Sequence, residues 1–126
     1  RREVKYGRNS RIDLLLEDPG RPTCYVEVKN VTLKRGARCE FPDAVTARGT
    51  KHLGELADMV ADGHRAVMFY LVQRTDCAAF AVAADIDPVY AEALAKAREA
   101  GVEVLCYGCR VTPEEITVDK PLPAIL

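Results

Sequence analysis

The sequence predicts one α/β domain on a mixed central sheet: a three-strand meander, a crossover helix and a parallel strand, with helices at the flanks. Three observations predict it. The turn-dense Asp18-Pro19-Gly20-Arg21-Pro22 separates two strand-like stretches, Ser10–Glu17 and Thr23–Asn30. Between Ala44 and Asp62, apolar and small residues recur at 45, 49, 53, 56 and 60, one stripe of a helix. The unbroken apolar run Ala66–Val72 is the signature of a buried strand.

The length of 126 residues suits a single domain, and 48% hydrophobic with 29% charged residues is a globular composition. No apolar run approaches the roughly 20 residues of a membrane span, and no basic-then-apolar leader reads as a signal peptide. No membrane role is therefore expected. The chain opens on Arg1 rather than Met and reads as a fragment or processed product. Cysteines at 24, 39, 77, 106 and 109, an odd number lying largely in strand-like runs, fit a reducing cytoplasm better than a disulfide framework.

In chain order, Arg1–Gly7 alternates loosely and reads as a strand ending at the turn Gly7-Arg8-Asn9. Leu14-Leu15-Leu16 is apolar on both faces, as expected of a central strand covered on each side. The next strand alternates, with Cys24, Val26 and Val28 on one face and Tyr25, Glu27 and Lys29 on the other. Lys34–Cys39 reads as a polar loop, and Phe41-Pro42-Asp43 as a helix start capped by Asp43. The crossover from the third strand to the strand at Arg65–Gln73 should be parallel and right-handed. Cys77–Ala83 reads as a short strand, and a second helix is expected from Asp87-Pro88 to a stop at Gly101. Val102–Cys109 then reads as a buried strand and Ile116–Lys120 as an edge strand before a Pro-broken tail.

The candidate chemistry lies on the first hairpin. A turn symmetric about Gly20 sets residues whose numbers sum to forty opposite each other, so Asp13 faces Glu27. Like charges directly opposed on a sheet destabilise it, and a hard divalent cation removes the conflict. Lys29 shares the face. Two carboxylates and an ammonium suit metal-assisted attack of water on a phosphodiester, with Asp13, Glu27 and Lys29 as catalytic residues. A half-exposed hairpin with ordinary surface charges is the plain alternative. Residues 1–52 hold twelve Lys/Arg against seven Asp/Glu, and residues 53–126 six against twelve. Excess positive charge on the half carrying the Asp/Glu/Lys group would steer a polyanion there, although an imbalance of this size also arises by chance.

The order of meander, crossover helix and parallel strand resembles the restriction-endonuclease-like core of the PD-(D/E)xK nucleases, where the Asp lies on the second core strand and the Glu-x-Lys on the third. A closer resemblance is carried by Arg2–Gly7, Ser10–Asp13, Val26–Leu33, Phe41–Gly49, Lys51-His52-Leu53 and Leu122-Pro123. These segments are similar to the sugar fermentation stimulation protein family, in its C-terminal nuclease-like domain. The resemblance implies a cytoplasmic, bacterial, DNA-binding protein linked to sugar (maltose) utilisation. It also implies an OB-like domain ahead of this one, which this stretch does not contain. The helix that precedes the first strand in such nucleases, sometimes the source of a further acidic ligand, is missing too, and Glu3 is the candidate substitute.

With the resemblance added, Asp13, Glu27 and the backbone carbonyl of Val28 are the expected ligands of Mg²⁺ (or Mn²⁺). DNA is the expected partner, with Arg11, Arg48, Lys51 and His52 as contacts. For Lys51 the favoured plain reading is pairing with Glu55 on a solvated helix face. Asp43 is first a helix cap, with an active-site role secondary. Cys106-x-x-Cys109 supplies two ligands where structural zinc needs four, and His64 reads as surface. Catalysis is one outcome; a catalytically silent DNA-binding regulator that keeps the fold and charges is the alternative, and a soluble structural module a third.

Overall fold

The turn at Asp18–Arg21 closes through the Arg21 N–H donating to the Asp18 carbonyl at 3.0 Å, with Gly20 at φ 89°, a conformation that glycine adopts without a Cβ clash. In the computed structural model the backbone is described for residues 2–6 and 10–126, and side chains from Asp13 onward except Val111 and Ile116. The strands β1 (Arg2–Tyr6), β2 (Ser10–Leu16) and β3 (Cys24–Val31) form the expected meander. After β4 (Leu33–Arg35) and β5 (Arg38–Phe41) comes helix α1 (Ala47–Ala61), then β6 (Arg65–Val72), which lies parallel to β3 along its whole length. The chain continues through β7 (Ala79–Val82), α2 (Pro88–Ala100), β8 (Glu103–Val111), β9 (Ile116–Pro121) and β10 (Ala124–Ile125). The main sheet has the order β1-β2-β3-β6-β8-β9, mixed in direction, with β9 at its edge. The fold is α/β.

Three expectations are corrected. Lys34–Cys39 is not a loop but a hairpin, β4–β5, turning at Gly36 (φ 65°), and it belongs to a second sheet of order β10-β7-β5-β4. Those strands are two to four residues long, too short to show a period, and β5, β7 and β10 pair across long sequence gaps. Arg35 ties that sheet down from the outside, bonding both Glu40 and Asp85. Next, Leu16 is 54% exposed rather than covered. The face bearing Leu15, Tyr25 and Val31 packs against the helices, whereas the other face carries only a small cluster of Cys24, Val26 and Val67 with Leu14, Val28 and Phe69 around it. Finally, Cys39 and Cys77 form a disulfide with a Cα–Cα distance of 5.7 Å. The parallel β5–β7 pairing brings together two cysteines 38 residues apart, which no spacing rule could show. Cys24, Cys106 and Cys109 are buried free thiols.

Helix α1 starts later than expected. Thr46, not Asp43, is its N-cap: Thr46 Oγ1 accepts from the Gly49 N–H at 3.0 Å, and Asp43 is exposed. The start is set from a distance, because the Thr46 N–H donates to Asp87 Oδ2 at 2.8 Å. Asp87 is also the N-cap of α2, accepting from the Tyr90 N–H at 3.0 Å through Oδ1. One buried carboxylate therefore holds both helix starts. The far end of α2 stops at Gly101 (φ 110°) as its sequence requires. The core lies between the helices and the main sheet, where Leu53, Leu56, Met68, Tyr70, Phe80, Tyr90 and Leu94 are essentially inaccessible.

This packing makes three substitutions predictable. A Cβ on Gly49 would meet Thr46 Cγ2 at 2.9 Å and Tyr90 Cε2 at 3.1 Å. Thr46 is pinned by its capping bond and Tyr90 is buried. Overpacking of about 1–3 kcal/mol outweighs the helix-propensity gain of about 1 kcal/mol, so Gly49→Ala lowers stability in urea unfolding. Gly54, with nothing within 4 Å of its Cβ position, gives the opposite sign: Gly54→Ala stabilises by about 1 kcal/mol. Asp87→Ala removes bonds at both helix starts and lowers Tm by roughly 3–8 °C at pH 7. The N–H donors of Thr46 and Tyr90 hold the Asp87 carboxyl below its ordinary value. Its contribution is therefore complete above that ordinary value and fades as pH falls through the lowered one, so the gap in Tm between wild type and variant narrows in acid.

Candidate functional site

The meander register is the one expected. Leu14, Leu15 and Leu16 pair with Val26, Tyr25 and Cys24, each pair summing to forty, and one step further along Asp13 comes level with Glu27. Strand alternation turns Asp13, Glu27 and Lys29 to the helix-covered face, where α1 presents His52. Asp13 is half-buried, and its Oδ2 accepts from the Val28 backbone N–H at 2.8 Å. The side chain thus bonds to the strand that carries Glu27.

Glu27 is 3% exposed. Its Oε1 lies 3.1 Å from His52 Nδ1 and 3.5 Å from Lys29 Nζ, and those two nitrogens are 3.0 Å apart. When Nδ1 carries the ring proton it donates to Glu27 Oε1. When Nε2 carries it, Nδ1 accepts from the Lys29 ammonium, which also reaches Oε1. Either way Oε1 is engaged on the Lys29–His52 side. The other oxygen, Oε2, is buried without a hydrogen-bond partner among the described residues.

A buried carboxylate oxygen with no donor is costly, and it marks the point where a further positive group fits. Burial raises the Asp13 carboxyl above its ordinary value, the Val28 N–H opposes that, Glu27 pushes it up further, and Lys29 and His52 draw it down. The two carboxylates therefore sense each other. Two carboxylates with an orphaned oxygen are a donor set for a hard cation such as Mg²⁺ or Mn²⁺, to which the Val28 carbonyl could add an oxygen. Among the described residues no three His, Cys, Asp or Glu side chains form a ligand cluster, so a cation here would complete its shell with backbone oxygen, water or substrate.

The other candidates separate. Arg48 is exposed on α1, one turn before His52. Lys51 pairs with Glu55 at 3.6 Å, as the plain reading has it, but not on a solvated face: Lys51 is half exposed, whereas Glu55 is buried. His52 is buried at 4% exposure, beneath the surface rather than on it, so it touches Glu27 and Lys29 instead of offering itself to a phosphate. The stripe had passed one residue beside it, at Leu53. Asp43 is exposed and caps nothing in α1. The side chains of Glu3 and Arg11 and the turn at residues 7–9 lie outside the described residues. Cys106 and Cys109, three apart on β8, face opposite sides of the sheet and cannot chelate together; burial pushes the Cys106 thiol up to about 12. His64 is partly covered and meets the Tyr25 ring edge-on at 5.4 Å.

Sequence reasoning missed Tyr70 and Tyr90. Their buried hydroxyls hydrogen-bond to each other, and burial first, then Asp87 and Glu27, raises the Tyr90 phenol. Aromatic residues in a strand and a helix carry no signal that their hydroxyls will meet.

These features define a class: a mixed α/β domain with an acidic pair, one member buried and the other half-buried, and a lysine on the helix-covered face of its sheet. A model of the "Sugar fermentation stimulation protein RE domain" matches residues 1–115. The chain is 69% identical over 122 residues to a sugar fermentation stimulation protein homolog of Paramagnetospirillum magneticum, covering 97% of this chain and 52% of that protein. It is 67% identical over 123 residues to the homolog of Rhodospirillum centenum, at 97% and 53% coverage. The solved structure of Pyrococcus furiosus SfsA in complex with Ca²⁺ superposes with a TM-score of 0.92 at 31% identity, over 100% of this chain and 54% of that one. The chain belongs to the sugar fermentation stimulation protein family. It spans about half the length of the curated relatives it matches. Among the described residues no helix is long and apolar enough to cross a membrane.

Asp13→Asn tests the electrostatics of the site. Asn keeps an oxygen for the Val28 N–H but carries no charge. Because the fold raises the Asp13 carboxyl, its ionisation costs stability as pH rises from the ordinary value through the raised one. The Asn variant gains on wild type across that window and is at least as stable at pH 7, as read by urea unfolding at pH 3.5 and pH 7.

Proposed function

We propose that this chain is a restriction-endonuclease-like domain that binds DNA and hydrolyses phosphodiesters with Mg²⁺ or Mn²⁺. The observation that carries the reading is Glu27, level with Asp13 in the β2–β3 register, with one oxygen engaged by Lys29 and His52 and the other buried without a partner among the described residues. The meander, crossover helix and parallel strand support it, placing the acidic pair and lysine on the second and third core strands. That a divalent cation belongs to the domain is supported by the Ca²⁺ named with the similar Pyrococcus furiosus structure.

Asp13, Glu27 and the Val28 carbonyl would hold the cation, which supplies Lewis-acid stabilisation of charge on the phosphodiester. Lys29 has Nζ between Glu27 and His52, so its ammonium is held in place rather than sweeping through solvent. From there it orients the attacking water and offsets negative charge as the phosphorus becomes five-coordinate. Exposed Arg48 is placed to contact a flanking phosphate, with Lys51 at the periphery once it leaves Glu55.

The test is incubation of single- and double-stranded DNA with Mg²⁺ or Mn²⁺. Cleavage is expected for wild type, abolished by EDTA and reduced by about 100-fold or more in Asp13→Ala and Lys29→Ala. Binding should weaken with salt, because phosphate contacts release counterions. Salt-dependent binding without cleavage by wild type would leave a DNA-binding regulator that retains the site. Binding indifferent to salt would overturn the nucleic-acid reading.

A further inference from the structure

We infer that His52 is a positioning residue that restricts Glu27 to single-oxygen ligation and so sets the size preference of the cation site. The inference rests on the metal reading above and adds a determinant of which metal is taken. The two oxygens of Glu27 are not equivalent. Oε1 is 3.1 Å from His52 Nδ1 and 3.5 Å from Lys29 Nζ, while Oε2 is buried with no partner among the described residues.

The ring is not adjustable. His52 is 4% exposed on α1, next to fully buried Leu53 and one turn after Gly49, whose Cβ position is already closed by Thr46 and Tyr90. With the ring proton on Nδ1, the tautomer that donates to Glu27, Oε1 is held by a buried nitrogen and the carboxylate offers a cation one oxygen only. Groups behind a ligand commonly fix its orientation in this way.

Ligation mode discriminates between ions of one charge. Ca²⁺ accepts six to eight oxygens at about 2.3–2.6 Å and often takes a carboxylate through both, whereas Mg²⁺ demands six near about 2.1 Å and takes carboxylates through one. Mn²⁺ also favours six oxygen ligands. With Oε1 held, the site favours the smaller ions. Without His52, only the longer Lys29 contact restrains Oε1, and Glu27 can turn both oxygens to the cation.

Isothermal titration calorimetry at one fixed pH, with MnCl₂ and CaCl₂ separately, measures the ratio of the two affinities without reference to catalysis. His52→Leu is expected to shift that ratio toward Ca²⁺ by at least fivefold. His52→Asn, whose amide can place a polar atom where Nδ1 sits, should hold the wild-type ratio within twofold. Should His52→Leu fail to fold, His52→Gln takes its place, because its amide reaches the Nε2 position instead, and the same shift is expected. An unchanged ratio in the Leu or Gln variant, or an equal loss of both affinities, would overturn the inference while leaving the cation site standing. Wild type that binds neither ion would remove the metal reading itself and this inference with it.

Discussion

The burial of Glu27 is the constraint on which the rest of the structure turns. A carboxylate taken out of water costs several kcal/mol unless charge and hydrogen bonds compensate it. Here compensation comes from two directions, Lys29 on the same strand and His52 from the helix above, while Asp13 ties the neighbouring strand in through the Val28 N–H. Asp13 adds charge of the wrong sign, and its own carboxyl is raised, by burial first and then by Glu27. The arrangement is poorly balanced for a purely structural polar cluster, and a cation at Oε2 would correct both defects together.

That arrangement depends on where α1 lies, and α1 is placed by α2. Asp87 accepts the Thr46 N–H with one oxygen and the Tyr90 N–H with the other, so the starts of both helices are set by one side chain. Gly49 then allows α1 to come within contact of Tyr90. Tyr90 meets Tyr70 of β6, the strand that runs parallel to β3 beside Glu27. Asp87, Tyr90 and Tyr70 are thus linked in series, and Tyr70 lies level with Lys29 across the β3–β6 pairing.

Much of this was legible because it is local. The symmetric turn about Gly20 is enough to set the register, and the alternation of β3 is enough to put Glu27 and Lys29 on one face with Val26 and Val28 on the other. The Asp87-Pro88 start and Gly101 stop of α2 are written in adjacent residues. Asp43 misled because it satisfies the same local rule as a cap, while the bond that decides the start of α1 comes from Asp87, 41 residues after Thr46. The short strands of the second sheet escaped for a related reason. Two to four residues carry no period, and their partners are distant in the chain. The Cys39–Cys77 bond depends on that same pairing.

By itself, then, the sequence determined the α/β class, the meander and its register, the parallel crossover strand, the second helix and the Asp13, Glu27, Lys29 trio. All of these rest on turn chemistry, side-chain alternation and helical spacing, which act over a few residues. Only the tertiary structure decided that His52 lies inside against Glu27, that the two Glu27 oxygens differ, and that Tyr70 and Tyr90 share a hydrogen bond below them. Those facts depend on the height and rotation of α1 over the sheet. Packing against α2 sets both, and no local pattern encodes the distance between two elements that meet only after the chain has folded.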